Sequence, residues 1–248
     1  MNNQNSGFQD PLDVQSVSSG VASKTFIARV FSWMFLGLII TGLTSYLFAT
    51  DASLTSIMYV PRLTGGVSMT TMGYIAMFAP IGLVLLMGAG FNRLSYGAMA
   101  IAFIAYSLLT GMSLSVIFFV YTASSIYQVF FITAGMFGLM AFLGYTTNTD
   151  LTKFGSLLIM LLFGVIIASV VNIFTHSAGL NYIISFACVA IFTGLTAYDV
   201  QKLKNIGAQV GSTGDATMGK MAVFGALSLY LDFINLFISL LSIMGKRK

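Results

Sequence analysis

The chain is 248 residues long, 57% hydrophobic and 7% charged, with a formal net charge of +4. A soluble domain carries about 25% charged residues, so no water-facing surface can be assembled from this inventory, and the chain reads as an integral membrane protein whose first partner is the lipid bilayer. The small basic excess gathers at segment ends, which fits membrane orientation and excludes nucleic acid as a partner.

Residues 1–23 (MNNQNSGFQDPLDVQSVSSGVAS) are rich in Asn, Gln and Ser and lack the basic and apolar regions of a cleaved leader. They read as a flexible polar tail ahead of a transmembrane domain over 24–248. A spanning helix needs about 20 mostly apolar residues. Seven segments qualify: Phe26–Ala49, Met72–Phe91, Ser95–Tyr121, Ile126–Tyr145, Phe154–Phe174, Leu180–Asp199 and Ala222–Met244. The predicted fold class is therefore an all-α integral membrane bundle. Two connectors are long, Asp51–Thr71 with Pro61 and Gly65-Gly66, and Val200–Met221 with Lys202, Lys204 and Lys220. The other links are short, so neighbouring helices should pack as antiparallel hairpins.

Lys24, Arg29, Arg93, Lys153, Lys202, Lys204 and Lys220 fall on the side of the N-terminus, which predicts a cytoplasmic N-terminus. Arg62 falls on the other side, as does Lys246-Arg247-Lys248 if the last segment crosses fully. A last segment that stopped short would remove this conflict. Trp33, early in the first span, reads as an interface anchor, and Cys188, inside ISFACVAIF, as a small buried hydrophobe with no metal-ligand spacing around it. His176 ends the fifth segment and reads as an ordinary interfacial residue.

The last segment, ALSLYLDFINLFISLL, carries Asp232 in its middle. Ser228, Asp232, Asn235, Ser239 and Ser242 are spaced so that they stack on one helix face, and the remainder is Leu, Ile and Phe. A central Asp is unfavourable in a membrane by about 2.5–3.5 kcal/mol, so the stripe must face protein or a water-filled cavity. Ser228, Asn235 and Ser239 are thus candidate pore-lining residues. Asp199, in GLTAYDVQKLK, ends the sixth segment, one turn before Lys202. If the two carboxylates meet at about 4 Å, they repel by about 4 kcal/mol at an effective dielectric near 20. They would then compete for one proton and titrate as a unit, a pH sensor built without histidine. Deprotonated, the pair offers hard oxygen ligands to a metal cation such as Ca²⁺. On spacing alone, Arg93 is what the positive-inside rule places in any short cytoplasmic link.

GLTAYDVQKLKNIG followed by ALSLYLDFINLFISLL resembles the signature of the Bax inhibitor-1 family, and the seven-segment layout with its polar tail is similar to the bacterial branch. The resemblance implies a bundle in which six helices surround the last. It also implies a pH-sensitive calcium leak channel in the cell (inner or plasma) membrane, with a cytoplasmic N-terminus and a proton-sharing dyad at Asp199 and Asp232. Arg93 would correspond to the family's gating latch. The resemblance implies no tightly bound cofactor, and Ca²⁺ as the permeant ion.

Two other readings compete. Some bacterial relatives are thought to regulate a membrane-bound quality-control protease, and the polar tail offers such a partner a handle. An intramembrane aspartyl protease also uses two aspartates, one in a Tyr-Asp context. Its second motif, Gly-x-Gly-Asp, is absent, because Asp232 stands in LYLD and no Pro-Ala-Leu element follows, so the chain reads as a non-enzyme.

Overall fold

The computed structural model describes residues 11–61, 67–210 and 215–248. The chain runs α1 (Pro11–Thr50), α2 (Ala52–Met58), β1 (Tyr59–Pro61), β2 (Val67–Met69), α3 (Thr71–Ala89), α4 (Tyr96–Leu114), α5 (Ile117–Val120), α6 (Ala123–Thr146), α7 (Thr152–Thr175), α8 (Ala178–Val210) and α9 (Asp215–Met244). Among the described residues, seven helical spans are long and apolar enough to cross a bilayer, one for each segment anticipated from hydropathy. Of the expected polar tail, residues 1–10 lie outside the described residues, and from Pro11 the backbone is already helical.

Short polar side chains set the helix starts. Asp51 accepts from the N–H groups of Ser53 and Leu54 to begin α2, Thr70 from Gly73 to begin α3, and Ser95 from Ala98 to begin α4. Each satisfies N–H groups that the first helical turn leaves without a partner. The connector Asp51–Thr71 is not plain loop. It holds α2 and an antiparallel pairing of β1 with β2, in register Tyr59↔Met69, while Arg62 and Gly65-Gly66 lie outside the described residues.

The connector Val200–Met221 needs a larger correction. Helix α8 continues past Asp199 to Val210, and α9 begins at Asp215. Val200, Leu203 and Gly207 recur at helical spacing and are buried, so the chain keeps its helix beyond the apolar segment. The lysines between them fall on the other faces: Lys202 is exposed and Lys204 half-buried.

Helix α9 is the most enclosed element, with 61% of its membrane window buried against none of α7's. Of the six helices expected around it, α1, α4, α6 and α8 pack against it, while α3 packs principally on α4 and α7 on α8. The core follows from this: Phe26, Met34, Phe103, Leu229, Tyr230 and Leu236 are fully buried. Exposed Leu, Ile and Phe side chains cover α7, among them Ile167 and Phe174, as a helix bathed in lipid requires. Trp33 turns its edge to Phe103 at 6.1 Å and to Tyr96 at 6.5 Å, so it belongs to the α1–α4 packing. Cys188 is half-buried beside Ser239.

Hydrogen bonds tie the elements together at two opposite ends. At one, the Ser23 hydroxyl donates to the Lys204 carbonyl at 3.0 Å, Lys204 Nζ to the Tyr145 carbonyl at 2.8 Å, and Lys220 Nζ to the Leu94 carbonyl at 3.2 Å, while Arg29 pairs with Asp215 at 3.1 Å. At the other, the Thr122 N–H donates to the Lys246 carbonyl and the Lys248 N–H to the Val120 carbonyl, each at 3.0 Å. Helix α9 therefore runs the full thickness of the bundle. The last segment does not stop short, and Lys246-Arg247-Lys248 stand at the end opposite to the α8–α9 link.

Candidate functional site

The two aspartates sit on helices that pack closely. Gly225 on α9 is what admits the Leu203 side chain of α8: a Cβ there would lie 2.5 Å from Leu203 Cδ2. Ala222 and Ala226 on either side of it are fully buried. On the far side of α8, Gly144 of α6 stands against the backbone of Ala197, two residues before Asp199. Small residues thus fix α8 between α6 and α9 at the level of its carboxylate.

Asp232 is 5% exposed, and its Oδ2 is buried without a hydrogen-bond partner. Asp199 is near enough for charge–charge interaction with it, as Lys202 is with Asp199. Asp199 is half-buried and lines a cavity of about 470 Å³ between α1, α3, α8 and α9. Lys202, Gln209, Phe91, Phe224 and Ser228 share its wall. The cavity lies at the end of the bundle that holds the α3–α4 and α8–α9 links. It reaches Ser228 and ends one helical turn short of Asp232, so one carboxyl faces open space and the other is enclosed just beyond it.

From there a polar seam follows α9 toward the opposite end. The Asn235 amide donates to the Leu231 carbonyl at 2.8 Å, and the Ser239 hydroxyl to the Asn235 carbonyl at 2.7 Å. Ser242 Oγ receives the Ser185 hydroxyl at 3.1 Å and the Asn181 amide at 3.4 Å, both from α8. The stripe read from the sequence is therefore an α8–α9 seam, with its donors turned largely onto the helices' own backbone.

Arg93 is placed differently. It is exposed in the turn between α3 and α4, and no hydrogen bond or ion pair of its side chain occurs among the described residues. The structure does not bring it to the aspartates. Lys202, a cation within electrostatic reach of Asp199, has its Nζ 5.9 Å from the Tyr198 ring centre. At the cavity rim Lys220 takes the position over Phe91, 4.6 Å from its ring centre. As for a metal, no group of three or more His, Cys, Asp or Glu converges among the described residues, so the two carboxylates are the hard ligands this site offers.

Gln201 carries no sequence signal, because it falls in a stretch whose polarity suggested loop. It is 8% exposed, and its side-chain amide clamps the α6–α7 link: Nε2 donates to the Thr149 carbonyl at 2.8 Å and Oε1 accepts from the Leu151 N–H at 2.9 Å. Tyr230 is likewise part of a buried polar contact, its hydroxyl 2.6 Å from that of Thr41, which in turn bonds the Ser107 carbonyl. Both are polar groups whose partners lie on elements distant in sequence.

Residues 23–248 match the sequence profile of the family described as inhibitor of apoptosis-promoting Bax1. The chain is 42% identical to inner membrane protein YbhL of Escherichia coli K12 over 225 residues, covering 91% of this chain and 93% of that protein. It is 43% identical to an uncharacterized protein of Borreliella burgdorferi over 224 residues, 90% of this chain and 92% of that one. A Rickettsia prowazekii protein, RP147, is 39% identical over 225 residues, 91% of each chain. With seven membrane-spanning helices and a family match that covers the whole transmembrane domain, this chain is a multi-pass membrane protein that belongs to the Bax inhibitor-1 family.

Proposed function

We propose that the protein is a cation leak pathway with calcium as the permeant ion, opened and closed by the proton occupancy of Asp199 and Asp232. The observation that carries this reading is the enclosed Asp232 carboxyl, with Oδ2 unpartnered and Asp199 within electrostatic reach. A structural carboxyl at that depth would be expected to have every oxygen hydrogen-bonded. The cavity that reaches Asp199 supplies one vestibule, and the Asn235–Ser239–Ser242 seam supplies the continuation toward the other end. Arg93 acts as the latch only after a swing from its exposed turn toward the cavity rim, where Phe91 already lies. The cations at the end that bears this vestibule support a cytoplasmic side for it and for the N-terminus.

Calcium flux into proteoliposomes measured from acid to alkaline pH tests this. The wild-type rate should change steeply with pH, and Asp199→Asn and Asp232→Asn should flatten the profile. A profile that both variants leave intact refutes the reading.

A further inference from the structure

At the end of the bundle remote from the Asp199 cavity, α1 and α6 leave a groove of about 340 Å³ between them. Leu38 and Gly42 form one wall, Tyr127 and Phe130 the other, and Phe233 and Phe237 of α9 the floor. It lies within the spans, and Tyr127 and Phe131 on its α6 side are 55% and 72% exposed, so it opens sideways into hydrocarbon.

Two features distinguish this groove from the bare surface of α7. Ser45 is 3% exposed and lines it, yet its hydroxyl has no hydrogen-bond partner. A helical serine ordinarily bonds the carbonyl four residues back, so an unpaired hydroxyl in such a wall is a donor awaiting an acceptor. Secondly, the mouth of the groove is basic. Phe118 lines it, and Lys248 Nζ donates to the Phe118 carbonyl at 2.7 Å, which holds Lys246-Arg247-Lys248 at the rim. Arg247 is exposed, with no partner for its guanidinium among the described residues. The acid at this end of α1, Asp51, is taken up by the N–H groups of Ser53 and Leu54. An apolar slot, a donor inside it and three cations at its opening complement a lipid with an acyl chain, an ester carbonyl and a negative headgroup.

We propose that this groove is a binding site for an anionic phospholipid, with one acyl chain between α1 and α6, an ester carbonyl on the Ser45 hydroxyl and the phosphate on Arg247 and its lysine neighbours. The site also accounts for basic residues at the end of the bundle opposite the other cations, since they answer to a headgroup there.

Native mass spectrometry of the purified full chain, delipidated and titrated with phosphatidylglycerol or phosphatidylcholine of matched acyl chains, tests the site. Phosphatidylglycerol should be retained at least tenfold more strongly than phosphatidylcholine. Replacing Lys246, Arg247 and Lys248 together with Gln should erase that preference. Gly42→Leu should abolish retention of both lipids, because a Cβ at Gly42 meets nothing within 4 Å and the added side chain fills the groove rather than the core. If Gly42→Leu does not fold, the triple Gln variant, altered only at exposed side chains, decides the matter. Equal retention of the two lipids by the wild type, or undiminished retention by Gly42→Leu, overturns the proposal. So does a Gly42→Leu variant that splits a dimer instead of releasing lipid, which would assign the groove to a second copy of the chain.

Discussion

Gly144 on α6 stands directly against the Ala197 backbone on α8, and a Cβ at Gly144 would overlap the Ala197 carbonyl and Cα. Only a residue without a side chain lets two helices approach so closely. Because Ala197 precedes Asp199 by two residues, this contact also sets the depth of the carboxyl. Gly144→Val should force the helices apart. Overpacking of this kind costs about 1–3 kcal/mol, and about 2–4 °C is lost per kcal/mol in a chain of this size. A thermal-unfolding midpoint in detergent should therefore fall by several degrees. Gly138→Val, on the same helix but facing open space, should leave it unchanged.

Gln201 links α8 to the α6–α7 turn with two hydrogen bonds to backbone groups. Replacing it with Leu leaves the Thr149 carbonyl and the Leu151 N–H without that partner, a loss of about 1–3 kcal/mol when such groups are buried. The expected result is a lower unfolding midpoint for Gln201→Leu, with exposed Gln209→Leu as the silent comparison. Under the proposed leak function, calcium flux should drop with it, since the residue is half a turn beyond Asp199 and anchors that stretch of α8.

What the sequence disclosed and what it hid separate along a physical line. Hydrocarbon demands about 20 apolar residues per crossing, so the seven spans stand out in any one chain. A carboxylate within such a run is equally conspicuous, which is why Asp199 and Asp232 are legible without coordinates. Near the interface the demand relaxes. Polar residues there are compatible with loop or helix, so the extension of α8 to Val210 and the β1–β2 pairing were hidden. Contacts between helices distant in sequence left no trace either: neither Gly144 against Ala197 nor Tyr230 against Thr41 has a local signature. Arg93 shows the same limit from the other side, because spacing places it at the right end of the bundle and says nothing of where its guanidinium points.

Asp150, in the α6–α7 link outside the membrane, offers a titration whose sign is clear. The Thr152 hydroxyl and then the Thr152 N–H, at 2.9 Å from Oδ1, donate to its carboxylate and hold its pKa below the ordinary value of 3.8. Hydrogen bonds of this kind favour the charged form. The contribution to stability is thus present above the ordinary value and disappears as pH falls through the lowered one in the folded state. Asp150→Asn should unfold slightly below wild type at neutral pH, and the two midpoints should converge in acid. The carboxylate is fully exposed, so the gap is small and best read as a difference between paired pH series.

Asp232→Asn should act in the opposite sense. An ionised carboxylate at the centre of a spanning helix is unfavourable by about 2.5–3.5 kcal/mol, and here one of its oxygens has no hydrogen bond with which to offset that cost. Asparagine has nearly the same shape and never carries the charge. The variant should therefore match wild type in acid, where the carboxyl is neutral in folded and unfolded chains alike, and exceed it once pH passes the ordinary carboxylate range, so the difference in unfolding midpoint opens as pH rises. Asp199→Asn should stabilise less, because its carboxyl lines the cavity and has the charge of Lys202 within reach. A double variant at both positions separates two cases. If the aspartates act on each other, the double variant gains less than the two single variants together, because removing either charge already relieves the repulsion felt by the other. Simple additivity would mean that each carboxyl answers only to its own surroundings.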